Sequence, residues 1–434
     1  MNTLANSLLS LGVAFLLAIL AYSVPRWVDG ALLRTEVLLY VAVPAVGIGL
    51  LLISLRLDRD KKAIAALCLL AVGVAVYAAE GYLSLTERRN EVELDFVQQL
   101  RRQGDNAYPF ILPRALLEPG PDGGLRSVLT IDGIELLPLA QVSNSLSVAC
   151  NELGENMVYQ TDRHGFRNPE DGWVAATVDI AAIGDSFVEG DCVGPDDNMI
   201  AWVKRSHPNT LNLGVGGTGP LEHLAILKEY ARPFRPKIVI WVFYEGNDLI
   251  DLERAKAEPS LMKYLGADFT QSLLERQPEI DRKLADYTLS RMEKVVSERR
   301  SRRLIEFVKL RRLRSKLLGG WPRQRHYDFS LFEAILTAAK DVVDSWGGEL
   351  YFVYLPTASR FFGHAEHKEE LLAMQLSVRR IVTALDISFV DVPAAFEAER
   401  EPKALWFHQN SHYNETGYRI AAQAVLNALA ASPS

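Results

Sequence analysis

Four short stretches of this 434-residue chain hold side chains suited to acyl transfer. In the first, Asp179 to Gly190, a brief apolar run ends in Gly184-Asp185-Ser186. An uncharged run closed by glycine reads as a buried parallel strand. Ser186 then stands where the strand ends and a helix begins, at the carboxyl edge of a sheet, where open α/β sheets bind ligands. Its backbone N–H, near a helix N-terminus, suits a developing oxyanion. An Asp-Ser pair before a helix is also a good N-cap, and this stretch alone leaves both readings open. In the second, Thr210 to Leu213 opens into Gly214-Val215-Gly216-Gly217-Thr218-Gly219. Four glycines in six residues let backbone N–H groups approach a ligand. The spacings of the Walker and dinucleotide loops are missing, so an anion-stabilising donor fits better than a nucleotide site. In the third, the apolar run Lys237 to Phe243 leads into Glu245-Gly246-Asn247-Asp248. There Asn247 either points its amide at an oxyanion or forms an Asn-Asp turn. The fourth, His408 to Tyr418, contains His412 just before a final helix from about Tyr418 to Ala430. A serine hydroxyl needs a base to become a nucleophile, and an imidazole suits that task.

The elements that must position these groups follow from the alternation of apolar runs and helical patterns. Glu349 to Leu355 and Ile387 to Val392 read as two further strands, with amphipathic helices at Leu331 to Trp346 and Glu369 to Leu385. Repeated strand–helix order implies a parallel sheet covered on both faces. Residues 87–175 read as a stalk and N-terminal extension, and 176–434 as the main α/β domain. A charged helical insertion at about 251–325 interrupts the alternation. From Arg291 to Arg325 it carries thirteen Lys and Arg against Glu293, Glu298 and Glu306. This is either a solvated helix face or a dock for anionic headgroups or an anionic polymer.

Residues 1–86 differ in kind. Three nearly charge-free runs, at about 8–24, 37–55 and 63–85, each approach the ~20 residues needed to cross a bilayer, and predict three transmembrane helices. The second connection carries Arg56, Arg59, Lys61 and Lys62, which the positive-inside rule places in the cytoplasm. The chain is then a multi-pass protein of the inner membrane with its C-terminal domain on the periplasmic side. There Cys150 and Cys192 either pair as a disulfide or are two small buried apolar residues. Cys68 lies inside the third run. A formal net charge of -7 argues against nucleic acid as a partner, and no cysteine spacing suggests a metal site.

Together the four stretches resemble the ordered blocks of the SGNH (GDSL-type) hydrolase superfamily, from about Val178 to Leu429 with the insertion set aside. The resemblance implies a three-layer α/β/α flavodoxin-like fold with Ser186 as nucleophile and His412 as base. Backbone N–H groups of Ser186 and Gly217, with the Asn247 amide, would form the oxyanion hole, and no cofactor would be needed. Two departures stand out. The family usually places an aspartate two or three residues before the histidine, where this chain has Asn410 and Gln409. His412 then works in a dyad, or a distant carboxylate or a backbone carbonyl orients it. Glu245 stands where the family usually has glycine, and with Asp185 and Asn410 it is a candidate modulator of the site. The implied activity is that of a membrane-anchored serine esterase or acyltransferase, of O-acetyl groups by family likeness. Its substrate would be an exported carbohydrate, and its partner a polysaccharide export or modification machinery. The alternatives are a catalytically silent glycan-binding or scaffold protein, and a lipid esterase or thioesterase at the membrane surface.

Overall fold

The computed structural model describes residues 2–28, 37–86, 94–120, 124–173, 178–319, 327–363, 365–408 and 411–431. The chain divides into two compact units, Met1–Arg88 with Ser297–Arg325, and Arg89–Val296 with His326–Ser434.

The smaller unit is built on α1 (Asn2–Val28), α2 (Val43–Ser54) and α3 (Arg59–Thr86). Close packing follows from small residues at the contacts. A Cβ on Gly12 would lie 2.9 Å from Leu69 and 3.0 Å from Leu51, and one on Gly47 would lie 2.8 Å from Leu16. The outer faces, with Leu11, Phe15, Leu67 and Val72, are exposed. Two helical stretches, Thr3–Pro25 and Arg59–Thr86, are long and apolar enough to cross a membrane, not the three that the sequence suggests. The run at 37–55 forms only the shorter apolar helix Leu38–Ser54. Its first turn, Leu38–Ala42, is π-wound, and Pro44 just beyond it lacks the N–H that a regular ladder needs. At 1.5 Å per residue such a helix reaches about 26 Å, short of the ~30 Å of hydrocarbon.

Residues 297–325 belong to this unit rather than to the α/β domain. The Tyr77 hydroxyl donates to the Val308 carbonyl at 3.1 Å. The buried Glu80 carboxylate accepts the N–H groups of Arg312 (3.1 Å) and Leu313 (2.8 Å), at the start of helix Arg311–Gly319. An acid at a helix N-terminus satisfies donors that have no partner within the helix.

The larger unit begins with α4 (Leu94–Gln103) and a small sheet of β1 (Ala107–Pro109), β2 (Leu146–Val148) and β3 (Val158–Gln160). In it β1 runs parallel and β3 antiparallel to β2. The main sheet has five parallel strands: β4 (Ile180–Gly184), β5 (Thr210–Gly214), β6 (Ile238–Tyr244), β7 (Glu349–Leu355) and β8 (Ser388–Asp391). Their order is β8-β7-β6-β4-β5. Counted along the chain this is 2-1-3-4-5, a doubly wound order whose switch point lies between β4 and β6.

Alternate side chains of the strands feed two separate cores, as the two-residue period of a strand requires. Ala181, Ile183, Leu213, Trp241 and Phe243 join one core with helices Pro220–Ile226, Phe329–Asp344 and Ala365–Ala384. Ile180, Ala182, Ile240, Val242 and Val353 join the other, with helices Met199–Lys204, Val392–Glu397 and Glu415–Ala431. Helices cover both faces of the sheet, so the strands are apolar throughout.

Candidate active site

Ser186 opens α5 (Ser186–Glu189), immediately beyond β4. The turn depends on Gly184, where a Cβ would lie 2.5 Å from Val188 and 3.1 Å from Val242. Asp185 caps the helix, its Oδ1 accepting the Phe187 N–H at 3.0 Å, and Gly190 ends it at φ +88°. The two readings of this stretch thus coexist on adjacent residues: Asp185 is the cap, and Ser186 faces the cleft. A cavity of about 340 Å³ opens there at the carboxyl ends of β4 and β6, lined by Glu152, Ser186, Asn247 and His412 among others.

His412 comes from the loop before helix Glu415–Ala431. That loop is held by a bridge between Trp406 and Tyr413, and by the buried Tyr413 hydroxyl, which donates to the Pro356 carbonyl at 2.6 Å. Nε2 of His412 lies 2.8 Å from Ser186 Oγ. On the other side of the ring, Nδ1 lies 2.9 Å from Oε1 of Glu152, whose Oε2 accepts the His412 backbone N–H at 3.0 Å. Glu152 sits in the loop between β2 and β3, part of the N-terminal extension.

The sequence reading left the partner of His412 open and did not single out Glu152. The available signal was Cys150. The structure bonds Cys150 to Cys192, with a Cα–Cα distance of 5.4 Å, which brings the residues near Cys150 to the loop that follows the serine helix. Gln409 and Asn410 lie outside the described residues.

Electrostatics follow from this arrangement. Burial disfavours the charged imidazole of His412. The hydrogen bond to Glu152 and the charges of Asp191, Glu152 and Asp185 outweigh burial and raise its pKa to about 9. Burial opposes ionisation of Glu152, but the hydrogen bonds and charge of His412 hold its carboxyl below the usual range. Asp191 Oδ2 lies 4.0 Å from Nε2. Burial pushes the Asp185 carboxyl up to about 6, against the hydrogen bonds from the Phe187 N–H and the Asn247 amide.

Asn247 lines the cleft; its Nδ2 donates to Asp185 Oδ2 at 3.2 Å, and its side chain also interacts with Asp251. The Ser186 and Gly217 backbone N–H groups have no acceptor among the described residues. Gly217 has φ +70°, and a Cβ there would lie 2.5 Å from Leu112, so the position demands glycine. It does not line the cavity itself. The preceding residue is fixed to the serine helix, since the Gly216 N–H donates to buried Glu189 at 2.6 Å.

Glu245 turns away from the cleft. Its carboxylate forms a buried pair with Arg360 (Nε to Oε1 3.0 Å) and accepts the Tyr354 hydroxyl (2.9 Å) and the Thr357 N–H (2.8 Å). It therefore acts on the site only by holding the segment that supplies Thr357 and Ala358 to the cleft.

No family model matches the chain, and no curated protein matches it. Several solved structures resemble it in part. A lipase/acylhydrolase from Enterococcus faecalis is 12% identical, with 57% of this chain and 93% of that one covered at a TM-score of 0.33. A member of the lipolytic G-D-S-L family from Veillonella parvula is 13% identical, over 58% of this chain and 98% of that one, at 0.33. A variant of an acetyl-xylooligosaccharide esterase from Geobacillus is 15% identical, over 58% and 94%, also at 0.33.

Proposed function

We propose that this protein is a membrane-anchored serine enzyme that transfers or hydrolyses an acyl group, acetyl by family likeness, on an exported carbohydrate. The observation that carries the reading is the unbroken chain from Glu152 through His412 to Ser186, at 2.9 and 2.8 Å. Three groups in this relation are the working parts of serine acyl transfer, whatever their order along the chain.

In the reaction, Nε2 of His412 takes the Ser186 hydroxyl proton as Oγ attacks the ester carbonyl. The resulting oxyanion accepts hydrogen bonds from the Ser186 and Gly217 N–H groups and the Asn247 amide, each such donor worth about 3 kcal/mol of barrier. The leaving alkoxide departs with the proton held on Nε2, and the acyl group stays on Oγ. Water or a sugar hydroxyl then gives its proton to Nε2 and attacks the acyl carbon; the free acid or acylated sugar departs as Ser186 Oγ takes that proton back from Nε2. Glu152 stays ionised throughout. It keeps the Nδ1 proton in place and stabilises the imidazolium.

The two apolar helices support membrane anchoring, and the Cys150–Cys192 bond favours an oxidising compartment, such as the periplasm, for the catalytic unit. Glu152 removes the main ground for a silent, purely glycan-binding fold, which was the lack of an acid beside the histidine. The test is turnover by the full-length protein in detergent of an activated acetyl ester, with and without a sugar acceptor. Ser186-dependent release of acetate or acetylated sugar is expected. Turnover unchanged in Ser186→Ala would falsify the enzymatic reading.

A further inference from the structure

We infer that the Cys150–Cys192 disulfide is a positioning element of the catalytic site, pinning Glu152 to His412, so that its reduction lowers the rate by releasing the acid. The inference rests on the acyl-transfer reading and concerns regulation of that same site.

Glu152 belongs neither to the main sheet nor to the elements bearing Ser186 and His412. It sits in the loop from Ala149 to Met157, between two three-residue strands. Three backbone hydrogen bonds close that loop on itself: Ala149 N–H to the Met157 carbonyl (2.9 Å), Met157 N–H to the Cys150 carbonyl (2.8 Å) and Gly154 N–H to the Asn151 carbonyl (3.4 Å). Its covalent tie to the nucleophile's surroundings is the bond from Cys150 to Cys192, two residues from Glu152 and six beyond Ser186. Even the Glu152 N–H faces Cys150 Sγ, at 3.4 Å. The bridge also touches the base directly, with Cys192 Sγ 3.5 Å from His412 Nδ1. Acid, bridge and base thus form one contiguous cluster.

Reduction needs a thiol reductant of the cell envelope. A reductant thiolate attacks Cys150 Sγ, the more accessible sulfur, and Cys192 leaves as a thiolate. A second thiol resolves the mixed disulfide. Two electrons and two protons pass to the protein, and the reductant departs as its own disulfide. The Glu152 loop then loses its covalent tie, and the freed Cys192 sulfur remains beside Nδ1 as a weaker acceptor than a carboxylate. What is left is a Ser–His dyad.

The test uses the full-length protein in detergent. Wild type is assayed oxidised, after a dithiol, and after reoxidation, beside Cys150→Ser/Cys192→Ser, Glu152→Gln and the triple variant. Histidine-labelled NMR, with His412→Gln to assign the signal, follows His412 titration whether or not the ester turns over. Expected are a reversible fall in kcat of about 10²-fold or more with KM little changed, and a His412 titration displaced to lower pH. The losses from Glu152→Gln and from breaking the bridge should not add, because both remove one interaction. Additive losses, or a kcat and His412 titration indifferent to reduction, overturn the inference. Oxidised wild type without Ser186-dependent turnover refutes the acyl-transfer reading, and the His412 titration still decides whether the bridge pins the acid.

Discussion

Replacing Glu152 by glutamine is the most informative single change. Both carboxylate oxygens accept, one from Nδ1 at 2.9 Å and one from the His412 backbone N–H at 3.0 Å. An amide can accept at only one of its two ends. If its NH₂ faces Nδ1, the ring proton moves to Nε2, which can then no longer take the proton of Ser186. If the oxygen faces Nδ1, the NH₂ opposes a backbone donor and the loop moves off. Either way the plateau rate should fall by about 10²–10⁴-fold. The pH dependence carries the second half of the argument. With His412 held at about 9, only about one imidazole in a hundred is free at pH 7. Wild-type kcat/KM should rise tenfold per pH unit and level off near 9. In Glu152→Gln, burial still lowers the imidazole while the largest opposing influence is gone, so the rise should end at least about one unit lower. Stability follows the same sign. A base whose folded pKa lies above its unfolded value contributes fully below about 6.5, and the contribution is lost as pH rises through about 9. The Tm difference between wild type and variant should therefore be greatest near pH 6 and small by about pH 10. The assay is kcat/KM for an activated acetyl ester from about pH 6 to about pH 10, with melting curves at both ends. An unmoved pH limb, even with lost activity, would refute the role given to Glu152.

Three further outcomes follow. Asn247→Ala should lower kcat by about 10²-fold and also lower Tm, since it removes the amide donor from the buried Asp185 carboxylate; steady-state kinetics and a thermal melt check both halves. Arg360→Ala should strand the buried Glu245 carboxylate and cost about 3–5 kcal/mol in denaturant melts, whereas Glu245→Gln/Arg360→Met should recover most of it. Glu80→Ala should leave the Arg312 and Leu313 N–H groups without their acceptor and cost helix Arg311–Gly319 about 1–3 kcal/mol, seen as faster tryptic cleavage among its Arg and Lys residues.

Much of the architecture is legible because apolar runs in a covered parallel sheet are unambiguous. Ile180–Gly184, Thr210–Gly214 and Ile238–Tyr244 lie where the sequence puts strands, and Ser186 and Asn247 follow their ends. Glu152 is not legible in the same way. It precedes the nucleophile by 34 residues and reaches the histidine only through a tertiary loop. Carboxylates in loops are common, and nothing local distinguishes this one; only the pairing of two distant cysteines points to it. Glu245 shows the converse limit. Its place beside the asparagine block suggests a cleft residue, yet the main chain turns it toward Arg360, a partner 115 residues away. The second apolar run, at 37–55, falls short as a span for a local reason, the early π turn and Pro44, which composition does not register.

The most direct measurement is where a slowly released acyl group resides. Full-length protein treated with an activated acetyl ester, quenched early, digested and weighed by mass spectrometry should carry one acetyl on the peptide containing Ser186. The label should vanish in Ser186→Ala, nearly vanish in His412→Ala, and build up more slowly in Glu152→Gln. Unlabelled Ser186, or equal labelling in Ser186→Ala and wild type, would contradict the account.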